Sequence, residues 1–166
     1  GQQIKADLLD HGSLARALGE TRPLEVYNLA APSFVPRSWD EPIRTAEFAA
    51  VGATSMLEAI REVDPSIRFY QASSSEIFGE PRETPQTEQT PFNPMNPYGY
   101  AKAFAFYATR NYREAYGIHA SSGILFTNPQ PVVKLLTVDL LGSKMMIPFT
   151  LFLPVPGDMA SAQEVI

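Results

Sequence analysis

Apolar positions in this chain fall into two patterns, short saturated runs and longer stretches with helical spacing, and the two alternate. Residues 24–30 (LEVYNLA), 67–72 and 120–126 are short, dense runs bounded by Pro, Asp and Ser, and they read as strands. The first is apolar enough for both of its faces to be covered. Residues 1–9 read as the end of a further short strand. Between the runs lie three helical patterns. Ser13 caps a short helix with Leu14, Ala17 and Leu18 on one stripe and Gly19 at its close. Residues 44–63 carry Phe48, Val51, Met56, Ala59, Ile60 and Val63 near helical spacing and stop at Asp64-Pro65. Pro97 opens a helix over residues 98–116 that Gly117 ends. Three prolines break residues 31–42, and residues 80–95, rich in Pro, Thr and Gln, read as a solvated loop long enough for a binding role. Strand and helix in this rhythm imply right-handed crossovers and a parallel sheet. The strand ends at Ala30, Ala72 and Phe126 then point to one edge, where ligands bind.

Composition narrows the classes. At 166 residues and 45% hydrophobic, the chain is one domain by length and has material for a core. A net charge of −5 with no basic stripe argues against nucleic acid as a partner. With no cysteine there is neither a disulfide framework nor a thiolate metal site, and His11 and His119 lack ligand spacing, so no metal is expected. The N-terminus has no signal-peptide pattern, and no apolar run approaches the 18 residues or so of a membrane span. Residues 145–155 are apolar but broken by Pro148 and Pro154. A soluble cytoplasmic protein is the expectation.

The chemistry gathers where the second strand ends. Ser74 and Glu76 follow that strand, and Tyr98 and Lys102 stand four residues apart, on one face of the helix that Pro97 opens. A hydroxyl, a carboxylate, a phenol and an ammonium at one sheet edge make a proton-transfer site. Seven Tyr and four Lys give about 0.17 Tyr-x-x-x-Lys pairs by chance, so the pair alone says little. The order of parts says more: a strand ending Ser-Ser-Ser-Glu, a Phe-Gly turn, then Pro-Tyr-Gly-Tyr-Ala-Lys. This order resembles the extended short-chain dehydrogenase/reductase superfamily. Within it, FYQASSSEIFG, TPFNPMNPYGYAK, NYREAYG and SGILF are similar to the GDP-mannose 4,6-dehydratase family. The resemblance covers residues 4–126.

The resemblance implies a partial Rossmann-like sheet flanked by helices, holding NADP and acting on GDP-mannose or a similar sugar nucleotide. It implies that Tyr98 takes a proton at sugar carbon 4, as a phenol ionising well below its usual range. Lys102 stabilises the phenolate and holds the nicotinamide ribose. Glu76 is the base at carbon 5. Ser74, where the family more often has threonine, bonds the oxygen at carbon 4. Leu29, Ala30, Ala31, Pro32 and Ser33 match the loop that passes beneath the cofactor, and Asp7 and Leu8 match residues that flank the adenine. Relatives associate through helices of the sheet domain, so a homo-oligomeric parent is expected. Phe34 and Arg44 depart from the family pattern, which has His and often Tyr there. After SGILF the family's Asn-His-Glu-Ser-Pro is replaced by Thr127-Asn128-Pro129-Gln130-Pro131.

No two glycines lie two positions apart, so the dinucleotide fingerprint Gly-x-Gly-x-x-Gly is absent. The chain therefore reads as an internal piece of a longer protein that lacks the glycine-rich unit. Residues 1–128 form a partial cofactor-binding and catalytic domain, and 129–166 an atypical C-terminal segment. Ser75-Glu76 favours the GDP-mannose type over the Asp-Glu pair of glucose-type dehydratases and over epimerases, which place a small or apolar residue there. A sugar-nucleotide decarboxylase, an epimerase or an inactive truncated fragment are the alternatives.

Overall fold

Three parallel strands meet the expectation. In the computed structural model, which describes residues 4–32 and 34–126 and the backbone of 134–137, β1 (Glu25–Asn28), β2 (Arg68–Ser74) and β3 (Ala120–Phe126) lie side by side in that order. Asn28 stands beside Gln71, and Ser74 beside Leu125. A fourth strand, β4 (Lys134–Thr137), runs antiparallel to β3 with Lys134 opposite Phe126 and adds an antiparallel edge to the parallel sheet. The domain boundary expected at 128/129 lies outside the described residues, as does the rest of 129–166. No described helix is long and apolar enough to cross a membrane.

Side chains along a strand alternate between the two faces of the sheet. Val26, Phe69 and Ala120 are in register and share one face. They pack there with Leu14 and Leu18 of α1 (His11–Thr21), Leu57 and Ile60 of α4 (Gly52–Val63), and Ala108 and Tyr112 of α5 (Pro97–Tyr116). Phe69, Leu57 and Ile60 are essentially fully buried, which is worth about 1.5–3 kcal/mol for each side chain. Ile77, Phe78, Ala103 and Ile124 form a second cluster, toward the C-terminal end of the strands.

Several local expectations are corrected. Residues 4–9 form no strand. Helix α1 is capped by Asp10, whose Oδ1 accepts from the Ser13 amide at 3.2 Å, while the Ser13 hydroxyl turns back to the Asp10 carbonyl at 2.8 Å. It closes at Arg22 in the left-handed region, three residues past Gly19. The long helix begins at Pro42, earlier than expected, as α3 (Pro42–Ala46), and the preceding loop holds a short helix, α2 (Arg37–Asp40). From α3 the chain passes through a π turn, Glu47–Val51, into α4. That wider turn adds a residue and rotates the buried face, so Val51 is exposed while Ala49, Ala50 and Ala53 are buried. The first strand is not covered on both faces. Among the described residues it lies at one edge of the sheet, α1, α4 and α5 gather on one side, and Leu24, Tyr27 and Leu29 are exposed.

Candidate active site

Strand β2 runs on through Ser74, and the chain then makes one 3-10 turn, Ser75–Ile77. The Ser74 hydroxyl accepts from the Glu76 amide at 3.3 Å and so starts that turn. Gly79 leaves it at φ +53°, where a Cβ would stand 2.1 Å from the Asn93 carbonyl oxygen. The return leg of the loop is pinned to the turn by the Asn93 amide, which donates to the Ile77 carbonyl at 3.0 Å. Sequence placed glycine here; the close approach of two backbones explains it.

Helix α5 starts against this turn. Asn96 is its N-cap, Oδ1 accepting from the Gly99 amide at 2.7 Å. The same side chain donates from Nδ2 to Glu76 Oε2 at 2.7 Å. A Cβ on Gly99 would stand 2.6 Å from the Glu76 carbonyl oxygen, so a side chain at that position would push the helix away. Sequence reading missed Asn96. Its capping role was legible from Asn-Pro at a helix start, but its grip on Glu76 was not, because that bond joins residues twenty apart.

Three of the four expected groups come together here. Tyr98 lies close to the Ser74 hydroxyl and feels the charge of Glu76. The phenol's ionisation is pushed up by burial, pulled down by the nearby Ser74 hydroxyl and pushed up again by Glu76. Its direction is upward, opposite to the lowered phenol expected, because burial disfavours the phenolate more than the hydroxyl stabilises it. Lys102 is 3% exposed. Its Nζ lies 5.6 Å from the centre of the Tyr98 ring and donates to the Ala72 carbonyl at 3.0 Å. Burial alone lowers its ammonium to about 8.

Two more buried polar residues stand behind Lys102. Gln71 Nε2 donates to the same Ala72 carbonyl at 2.9 Å, and Asn28 Nδ2 donates to Gln71 Oε1 at 2.8 Å. Both were missed as site residues. The signal was available: Gln71 is the one polar residue in the run 67–71 whose side chain turns into the core, and a buried amide must find partners.

The expected cofactor contacts divide. Ala31 packs with Ala49, Ala50 and Ala101, which draws the turn after β1 against the first turns of α5. Leu29 and Ala30 remain exposed, and Pro32 is half-buried. Small side chains and open backbone close to α5 fit the ribose–nicotinamide end of a dinucleotide. Ser33 lies outside the described residues. Asp7 is exposed, with Oδ1 accepting from the Leu9 amide at 2.9 Å, so that oxygen is committed to its own turn. Leu8 is half-buried and packs against the core beside Gly52. The phosphate end has no glycine-rich turn in this sequence.

A family model described as GDP-mannose 4,6 dehydratase matches residues 2–139. The GDP-mannose 4,6-dehydratase of Sinorhizobium fredii is 49% identical over 128 residues, 76% of this chain and 36% of that protein. A UDP-glucose 4-epimerase from Brucella ovis, solved in complex with NAD, superposes with a TM-score of 0.69 at 28% identity, covering 76% of this chain and 38% of that one. DesIV, a dTDP-glucose 4,6-dehydratase from Streptomyces venezuelae solved with NAD and TYD bound, gives 0.64 at 27%, covering 73% and 36%. The chain spans about a third of the length of the curated relatives it matches.

Proposed function

The chain belongs to the GDP-mannose 4,6-dehydratase family, and from that premise we propose that it carries the acid–base machinery of a lyase that converts GDP-mannose to GDP-4-keto-6-deoxymannose with NADP. One observation carries the reading. The Glu76 carboxylate, just past the end of β2, accepts from Asn96 Nδ2 at 2.7 Å, and Asn96 is the N-cap of the helix that carries Tyr98 and Lys102.

When bound beside the residues after β1, NADP+ would supply hydride chemistry, a reversible acceptor for the hydride of sugar carbon 4. On this reading Tyr98 takes the proton of the carbon-4 hydroxyl, and Ser74 bonds the same oxygen and orients it. Burial and Glu76 both oppose the phenolate, so the groups that favour it, the Ser74 hydroxyl and the Lys102 ammonium, activate Tyr98. A ketone at carbon 4 acidifies the proton on carbon 5. Glu76, steadied by Asn96, removes that proton and passes it to the carbon-6 hydroxyl, which leaves as water. Hydride addition at carbon 6 would leave an enolate that takes a proton at carbon 5, and release of the proton Tyr98 took from the carbon-4 hydroxyl balances it, so both Glu76 and Tyr98 would end the cycle as they began. An epimerase has no need of a base at carbon 5, so a carboxylate fixed at this point favours elimination.

Mass spectrometry of GDP-mannose incubated with the protein and NADP+ tests the proposal. The expected product has lost one water and carries a ketone. If GDP-mannose is returned unchanged while UDP-glucuronate loses carbon dioxide, the site is that of a decarboxylase.

A further inference from the structure

Asn28 and Gln71 are 5% and 1% exposed, and the acid–base set above uses neither. Their hydrogen bonds end on one backbone atom. Arg68 donates its amide to Leu24 and Phe69 donates to His119, so even-numbered residues of β2 address β1 and odd-numbered ones address β3. The Ala72 carbonyl therefore points toward β1. That strand ends at Asn28, beside Gln71. The amide two residues further on, that of Ala30, turns to Asn28 Oδ1 at 3.3 Å. The Ala72 carbonyl is left with side-chain donors, Gln71 Nε2 at 2.9 Å and Lys102 Nζ at 3.0 Å. The bond from Asn28 Nδ2 to Gln71 Oε1 holds the Gln71 amide with its NH2 group toward that carbonyl.

We infer that Gln71, latched by Asn28, is a positioning residue for Lys102: as a second donor to the Ala72 carbonyl it frees the lysine amine to turn to a ligand hydroxyl without stranding a buried acceptor. The inference rests on reading Lys102 as the amine of the proposed site. A buried carbonyl with a single donor ties that donor down, because the broken bond is costly. With two donors, either can leave. Around the amine, α5 presents the Tyr98 ring, and β1 and β2 present amides and a carbonyl.

A double-mutant cycle on the unfolding of the full chain tests this. Gln71→Met and Lys102→Met each leave one donor on the carbonyl, and the double variant leaves none. The expected unfolding constant of the double variant exceeds the product of the single effects by about tenfold. A double variant that does not fold while both singles do has the same sign, and additive effects overturn the inference. If Gln71→Met alone does not fold, Gln71→Glu replaces it. This change keeps the acceptor for Asn28, removes the donor and sets a carboxylate beside the amine. NMR titration of labelled lysine, with Lys102 assigned by its loss in Lys102→Met, should then show the amine's midpoint rising by at least about one unit, a tenfold change in its dissociation constant. A glutamine that merely fills the core would leave that midpoint in place, which would overturn the inference. Neither readout needs turnover. A negative result here leaves the dehydratase reading standing, and an inactive protein leaves the role of Gln71 standing.

Discussion

Strands β1 and β2 leave the sheet at the same edge, and they leave it in opposite manners. After β2, each step is gripped: Ser74 holds the Glu76 amide, Asn96 holds the Glu76 carboxylate, and Gly79 and Gly99 bring backbone against backbone. After β1, Ala31 packs against α5, and Leu29 and Ala30 stand open beside it. The contrast teaches that the proposed proton-transfer half of the site is set by bonds among residues 71–102, whereas the proposed cofactor half presents surface. Tight geometry is what general acid–base chemistry requires. An open alanine loop is what a flat ligand lying on the backbone requires.

The largest test breaks the gripped side. On the proposed reading, Tyr98→Phe and Glu76→Gln each lower turnover of GDP-mannose by about 10²–10⁴-fold, measured as steady-state product formation, with folding unchanged by circular dichroism. Unchanged rates would reduce both residues to scaffolding.

The next effect is read in stability. Burial lowers Lys102 from 10.5 to about 8, and at about 1.4 kcal/mol per unit this is on the order of 3 kcal/mol. The sign follows from proton counts. Between about pH 8 and 10 the unfolded chain keeps the lysine proton that the folded chain has lost, so stability rises with pH through that window. Below it both states are protonated and the full penalty is present. Tyr98, raised by burial, acts with the opposite sign above about pH 10. Urea denaturation at a series of pH values should show the rise, and Lys102→Met should flatten it.

Asn96 gives a smaller effect in two measurements. Asn96→Ala removes the cap of α5, at about 1 kcal/mol, and releases Glu76. Asn96→Asp keeps the Gly99 bond but turns a carboxylate toward Glu76. The alanine variant should therefore lose stability as well as turnover. The aspartate variant should lose turnover with most of its stability retained. Equal turnover in the aspartate variant and the original would remove Asn96 from the site.

Much of this was legible in the sequence, and the reasons are local. Asn-Pro before Tyr98 and Gly117 after Tyr116 bracket α5 because caps are chemical signals read within a few residues. The dense run at 67–72 and SGILF declare β2 and β3 because buried parallel strands need continuous apolar side chains. What was hidden depends on neighbours. The π turn in Glu47–Val51 has no sequence signal and displaced the apolar stripe expected over 44–63. The exposure of Leu24 and Tyr27 follows from β1's place at the sheet edge, which periodicity cannot report. The bonds of Glu76 to Asn96 and of Asn28 to Gln71 cross 20 and 43 positions. Four residue types at a strand end named Ser74, Glu76, Tyr98 and Lys102, but the upward direction of Tyr98 needed its burial.

The smallest stability effect sharpens the open side. Leu29 is half exposed at 50% and lies in the stretch on which the proposed cofactor would rest. Leu29→Ser removes apolar surface that water already reaches, so stability should stay within about 0.5 kcal/mol. A ligand that covers Leu29 would bury that surface, and losing it should weaken NADP+ binding by a few-fold at about 25 cal/mol per Å², measured by calorimetric titration. Leu24→Ser is the control, because Leu24, 79% exposed, precedes β1 at the opposite end of the strand. A change of affinity confined to Leu29 would mark the end of β1 as ligand-facing, and equal affinities in the two variants would make both leucines ordinary edge-strand surface.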